Sequence, residues 1–241
     1  MITKGTLCLI PAKGSSTRLP RKNLLPLAGF PLVAHSIRKA LASKLFDTIC
    51  VSTEDNEIAQ VSKQYGAEVP FIRPDRLSHD PSTVVDVILH ALSEYREQGV
   101  EFQKVCVLLP TAPFVTIDHI KGAFEHYKNT SAESLMSVSL TQTPPFNAWI
   151  IVDEKLAPCF PDSPYKNTKS TECPKTYLSN GAILIIDVPK FEKTKNYRAL
   201  KLVPYVMPQE VSLDIDHKIE YDFARFLVES GAQTIQREIF L

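Results

Sequence analysis

Between Ile10 and Asn23 the chain reads IPAKGSSTRLPRKN, which gathers Lys13, Arg18, Arg21 and Lys22 around Gly14, Ser15 and Ser16. Small residues let backbone N–H groups come close to an anion and the cations supply charge, so this stretch has the composition of a phosphate-binding loop. Far downstream, Asp214 and Asp216 flank Ile215 in VSLDIDH. In extended backbone, residues i and i+2 point the same way, so both carboxylates can converge on one hard cation such as Mg²⁺. The plainer alternative is a pair of surface aspartates capping a helix that starts near His217. A polyphosphate held by cations beside a metal held by carboxylates would serve phosphoryl transfer, which asks a protein mainly for positioning and charge neutralisation. No Ser/His/Asp or Cys/His set points to a side-chain nucleophile. His35 and His90 fall on helical stretches and read as locally satisfied.

The loop is neither a dinucleotide fingerprint nor a Walker loop, because G-x-G-x-x-G and G-x-x-x-x-G-K-[ST] are both absent. It reads as a cationic triphosphate loop of another type. The charge distribution agrees. Basic and acidic residues number 27 each, yet residues 1–46 hold eight Lys or Arg and no Asp or Glu, leaving 19 cations against 27 anions in the remainder. A cationic segment facing an acidic body fits a small anionic ligand, whereas a nucleic-acid binder would carry a basic excess throughout. Five cysteines (Cys8, Cys50, Cys106, Cys159 and Cys173) form no C-x-x-C pair, and three lie in apolar runs, which reads as reduced thiols in a cytoplasmic protein. No apolar run reaches the roughly 18–20 residues of a membrane helix, and the stretch before Pro11 is too short for a signal peptide.

The elements that must position these residues follow from periodicity. Thr6–Pro11, Thr48–Ser52 and Lys104–Leu109 are short, β-branched and apolar, as buried parallel strands are. Between and after them, helical stripes run through Val33, Ile37, Ala40 and Leu41, through Ile58, Val61 and Tyr65, through Val87, Ile88, Ala91, Leu92 and Tyr95, and through Ile117, Ile120, Phe124 and Tyr127. Thr83 and Asp86 make a plausible capping pair for the third. Strict alternation predicts an α/β sandwich with right-handed crossovers, which puts the loop after the first strand at the carboxyl edge of the sheet. The rhythm breaks near residue 139. Residues 140–180 are rich in Pro, Thr, Ser and Lys and read as an insertion, a β-rich flap or dimer arm, within one domain spanning 1–241. Gly181–Asp187 and Leu202–Met207 return as strands. Ile219, Phe223, Phe226 and Leu227 predict a closing helix packed by that stripe, and Thr234–Leu241 reads as an edge strand or a partner contact.

The loop resembles the signature of the acylneuraminate cytidylyltransferases, close to I-P-A-R-G-x-S-K-x-[IL]-P-x-K-N. Ile10, Pro11, Ala12, Gly14, Ser16, Leu19, Pro20, Lys22 and Asn23 fit it. Asp47–Tyr65, Gly66–Leu77 with Ser78 and Asp80, Lys104–Pro113, Tyr177-x-x-Asn180-Gly181 and Ser212–Asp216 follow in the family's order. The resemblance implies a three-layer, Rossmann-like nucleotidyltransferase fold with a mostly parallel sheet and a β-rich dimerisation insertion. It also implies transfer of CMP from CTP to the anomeric 2-hydroxyl of a nine-carbon sugar acid, with release of pyrophosphate. By the same resemblance, Lys13 and Lys22 meet the triphosphate, Asn23 lies near the nucleotide, and Arg73 and Ser82 hold the cytidine. Asp214 and Asp216 hold Mg²⁺, while Tyr177, Asn180, Gly181, Lys169 and Lys175 face the sugar acid, and the protein pairs as a homodimer.

The sequence departs from the pattern at two places. Thr17 stands where the family has a lysine, with Arg18 adjacent to take over its charge. Leu109-Pro110-Thr111-Ala112-Pro113-Phe114-Val115 lacks the family's glutamine and arginine, and its TAPF form resembles the pseudaminic acid branch. Three rival readings remain at this point: another sugar nucleotidyltransferase, a glycosyltransferase using Asp214-x-Asp216 for its metal, and a non-catalytic nucleotide sensor.

Overall fold

Leu7 and Leu9 of strand β1 (Ile2–Pro11) join one buried cluster and Cys8 and Ile10 another, so the strand is covered on both faces. Such burial is what a parallel sheet flanked by helices requires. The computed structural model describes residues 1–240, apart from the side chains of residues 237 and 238. After β1 come the short pair β2 (Pro26–Leu27) and β3 (Phe30–Pro31), then α1 (Leu32–Ser43), β4 (Thr48–Ser52), α2 (Asn56–Gln64), α3 (Val84–Glu97), β5 (Val100–Leu108), α4 (Ile117–Asn129) and β6 (Ser134–Leu140). The hairpin β7 (Trp149–Val152) and β8 (Lys155–Pro158) follows, then β9 (Tyr177–Asp187), α5 (Val188–Thr194), β10 (Leu202–Val206) and α6 (Lys218–Glu229).

The six-stranded sheet has the order β10-β6-β9-β5-β1-β4. β1 pairs in parallel with β4 and β5, and β6 with β10, while β9 runs antiparallel between β5 and β6. One face is sealed by α1, α2 and α4 through residues such as Ile37, Ile58 and Ile120. The other is sealed by α3 and α5 through Ile88, Leu92 and Phe191. The three-layer, mostly parallel α/β reading holds, and Thr83 and Asp86 close a capping box at the start of α3. Cys8, Cys50 and Cys106 lie inside this core, where burial pushes their thiols up and out of reactive range.

Because β1, β4 and β5 are parallel neighbours, the loops after Pro11, Ser52 and Leu108 emerge at the same sheet edge. β9 is antiparallel, so its beginning, at Tyr177–Gly181, reaches that edge instead of its end. A third apolar cluster joins Leu19 of the cationic loop, Phe114, Ile215 and Ala224. Burying a side chain such as Leu19 or Ile215 is worth about 1.5–3 kcal/mol, enough to hold the first loop against the Asp-Ile-Asp segment.

Two sequence expectations need correction. Ile219, Phe223 and Phe226 do not pack the closing helix; they are 76%, 50% and 60% exposed. α6 docks through Tyr221, Ala224 and Leu227, a stripe rotated from the expected one, because small Ala224 lets the helix sit close to Ile215. The tail is not an edge strand. Residues Arg237–Phe240 form a 3₁₀ turn, Phe240 stacks on Phe30 at 3.8 Å, and Arg38 Nε donates to the Ile239 carbonyl at 2.6 Å. Leu241, the last residue of that expectation, lies outside the described residues.

Candidate active site

A cleft of about 320 Å³ opens at the shared sheet edge, large enough for part of a nucleotide. Lys13, Lys22, Asn23, Arg73, Ser82, Asp214 and Asp216 all line it, so residues separated by about two hundred positions in the chain meet in one cleft. Leu109, Pro110 and Thr111 form its floor and Ser78 part of its wall.

The Asp-Ile-Asp segment shows how local sequence builds the site. Ile215 is fully buried and its N–H donates to the Thr111 carbonyl at 2.8 Å, so Asp214 and Asp216 are turned toward the cleft. The capping alternative fails, because α6 is capped by His217, with Glu220 closing the box. Lys22 Nζ donates to Asp216 Oδ1 at 2.8 Å and to the Ile215 carbonyl at 3.3 Å. Arg18 pairs with Asp216 Oδ2 at 2.8 Å. Burial tends to raise the Asp216 pKa, but the Lys22 hydrogen bond and the Lys22 and Arg18 charges hold it below the ordinary carboxylate value. Asp214 differs. Burial and the Asp216 charge push it up, against the Thr111 hydroxyl and Lys22. Its Oδ1 is buried with no hydrogen-bond partner.

That orphaned oxygen is the place to test a metal. Mg²⁺ is commonly held by one or two carboxylates plus substrate phosphates and water, and a carboxylate pair with an unused oxygen meets that need. Among the described residues no third acidic, His or Cys side chain completes a ligand cluster, so a Mg²⁺ held here would take its remaining ligands from substrate oxygens or water.

The cationic loop is placed in part as expected. Asn23 is buried and its Nδ2 donates to the Lys13 carbonyl at 2.8 Å, which shapes the loop around the cleft. Ala12 is buried beneath it, and Ser16 is buried with an unpartnered Oγ. Arg21, however, turns away to Asp55 and Glu57 at 2.8 and 2.6 Å. Nor are the amides of Gly14 and Ser15 open to an anion, since both donate to Glu54 Oε1. Gly14 is required by that packing, because a Cβ there would lie 2.9 Å from the Cβ of Asp55.

The acceptor side needs more correction. Asn180 faces the core: its Oδ1 accepts from Ser137 Oγ at 2.6 Å and its Nδ2 donates to Ser212 Oγ at 2.9 Å. A buried amide so engaged is a structural brace. Lys169 and Lys175 are exposed in the insertion, Tyr177 is 43% exposed, and none of the three lines the cleft. Gly181 does reach the site. At φ +68°, an added Cβ would lie 3.1 Å from Leu109 Cδ1 and 3.3 Å from Asp214 Oδ2. Beside it, Leu109, Val84, Val107, Met136 and Ile183 enclose a mostly apolar recess of about 110 Å³. Sequence reasoning missed Glu54 and gave Ser78 and Thr111 no role. Their signal is positional: each follows or faces a strand end on the edge that carries the cationic loop.

His35 and His90 stay outside the chemistry. His35 Nε2 lies 2.9 Å from the Leu27 carbonyl, and burial lowers its pKa to about 4. His90 lies 3.4 Å from Glu94. No helix among the described residues is long and apolar enough to cross a membrane.

Comparison with known proteins agrees with this geometry. Residues 7–200 match the family model described as Cytidylyltransferase. The chain is 32% identical over 222 residues to a pseudaminic acid cytidylyltransferase of Campylobacter jejuni, covering 92% of this chain and 95% of the relative. It is also 32% identical over 232 residues to a CMP-N,N'-diacetyllegionaminic acid synthase of Legionella pneumophila, covering 95% and 98%. Among solved structures, a CMP:2-keto-3-deoxy-manno-octonic acid synthetase complexed with CTP superposes with a TM-score of 0.69 at 14% identity, covering 95% of this chain and all of that one, a likeness of fold. With a cleft of cations and paired carboxylates at the sheet edge and a family match over most of its length, this chain belongs to the cytidylyltransferases.

Proposed function

We propose that the protein transfers CMP from CTP to the anomeric 2-hydroxyl of a nine-carbon sugar acid and releases pyrophosphate. The observation that carries this reading is the meeting of Lys13 and Lys22 with the Asp214–Asp216 pair in one cleft. The sugar oxygen attacks the α-phosphorus, the bond from that phosphorus to the β-phosphate bridging oxygen breaks, and the hydroxyl proton is released. Lys13 and Lys22 neutralise the triphosphate, and Arg73 and Ser82 bound the nucleoside side of the cleft. Asp214 and Asp216 would hold Mg²⁺, which supplies charge stabilisation to the phosphates when bound. A cytoplasmic location suits an enzyme that draws on a nucleoside triphosphate.

The acceptor reading rests on Leu109 and its apolar recess. Leu against a sugar hydroxyl leaves that hydroxyl unpaired at a cost of about 1–3 kcal/mol, whereas acylamino or methyl surface is welcome there. Legionaminic or pseudaminic acid, 9-deoxy with a second acylamino group, fits better than N-acetylneuraminate. The relatives named above support the same class. The exposed apolar hairpin supports a homodimer in which this arm meets a second copy. A pyrophosphate-release screen of the four nucleoside triphosphates against sialic, legionaminic and pseudaminic acids tests the reading. Turnover confined to CTP with one of these acids supports it, and no release with any acid refutes it.

A further inference from the structure

The carboxylate seated in the loop amides has a place in the site beyond packing. Glu54 follows β4, and its two oxygens divide their partners between two walls of the cleft. Oε1 accepts from the amides of Gly14 and Ser15 at 2.8 and 3.1 Å. Oε2 accepts from Arg73 Nη2 at 2.9 Å and Ser78 Oγ at 2.8 Å, and Arg73 Nε donates to the same Ser78 Oγ at 3.1 Å. The side chains of Arg73 and Glu54 are 2% and 12% exposed. Burial tends to raise the Glu54 pKa, but its hydrogen bonds and the Arg73 charge outweigh that and hold it low. Ser15 Oγ adds a bond to the Ser78 carbonyl at 3.3 Å, a second tie between the same two segments.

We propose that Glu54 is a positioning residue for the nucleotide, a built-in anion that stays in the Gly14–Ser15 amides when CTP binds and locks the Lys13 loop to the Arg73–Ser78 wall. The proposal rests on CTP being the nucleotide substrate. A buried polar network with every member satisfied is rigid, whereas removal of its central carboxylate strands two amides and a buried guanidinium. Two consequences follow for recognition. The triphosphate is met by side-chain cations, because two of the loop's amides are already used. Arg73 has its charge compensated within the protein, so it meets the nucleoside as a hydrogen-bond donor.

The test is Glu54→Gln, which keeps size and removes the charge. The expected result is a KM for CTP raised about tenfold or more, with kcat at saturating CTP within about threefold of wild type. Wild-type pyrophosphate release from CTP, run alongside, separates failure of the substrate assignment from failure of this proposal. A KM within twofold of wild type, or a fall in kcat with KM unchanged, overturns it. Should the variant not fold, hydrogen exchange of the wild-type amides decides. Gly14 and Ser15 protected equally with and without CTP is the expected result, and protection that appears only with CTP overturns it.

Discussion

Around the cleft, Asn23, Arg73 and Ile215 are 2%, 3% and 0% exposed, whereas on the hairpin Trp149, Ile151 and Leu156 are 60%, 77% and 67% exposed. The first region is built from loops at the strand ends whose polar groups hydrogen-bond one another across the chain. The second is held mainly by its own short ladder and local turns, with its apolar side chains facing outward. On the proposed function, the nucleotide side is therefore finished within a single chain. The proposed acceptor side is less so: Lys169 and Lys175 of the insertion and Tyr177 at the start of β9 do not line the cleft. A substitution in the first region should change chemistry with assembly intact, and one in the second should do the reverse.

The largest effect is expected at the carboxylate pair. Asp214→Asn and Asp216→Asn should each cut turnover by about 100-fold or more while the melting temperature stays close to wild type. Chelation of divalent cations should abolish turnover reversibly, and near wild-type rates at limiting Mg²⁺ would remove the pair from the metal. Next comes the loop. Lys22→Ala should lower kcat/KM about 30-fold, since its side chain is 13% exposed and sits on Asp216, whereas Arg18, 58% exposed, should cost about threefold. Steady-state kinetics with varied CTP measures both, and equal losses would mean that Arg18 bears as much of the triphosphate as Lys22.

The acceptor contrast comes third. kcat/KM for legionaminic or pseudaminic acid should exceed that for N-acetylneuraminate by about tenfold, and Leu109→Gln should narrow the gap. A preference for N-acetylneuraminate in competition would show that the recess beside Leu109 does not select the acceptor. The smallest change in chemistry is expected from the hairpin. Trp149→Asp combined with Ile151→Asp should shift the mass seen by light scattering from a dimer to the 27.0 kDa monomer, leaving CTP binding within about twofold. A wild-type chain already monomeric at micromolar concentration would break the comparison from the other side.

Much of this was legible in the sequence because buried strands and cationic loops leave strong marks. The apolar runs at β1, β4 and β5 gave the sheet, and parallel pairing then placed Lys13, Lys22 and Asn23 at one edge. Asp214 and Asp216 were legible because an intervening Ile turns both carboxylates one way. Other features were not. Which stripe of α6 packs depended on tertiary contact with Ile215, and periodicity favoured the large Ile219 and Phe223 over small Ala224. Asn180 carries a motif's identity but a core amide's environment, a difference set by Ser137 and Ser212, residues far away in the chain. The occupation of the loop amides by Glu54 depended on a contact forty residues apart in sequence.

The antiparallel placement of β9 beside β6 has a consequence for how such a protein can change. Everything from Thr141 to Thr176 is, topologically, the connection of one antiparallel strand pair, closed at its base by Thr141 N–H to the Thr176 carbonyl at 2.9 Å. Connections of that kind can lengthen, shorten or be exchanged at a modest entropic cost, because closure grows only slowly with loop length. The module carries the exposed apolar hairpin, so on the proposed homodimer, grafting a relative's hairpin between those two threonines should change partner choice. The residues that line the cleft all lie outside that connection and would be inherited unaltered.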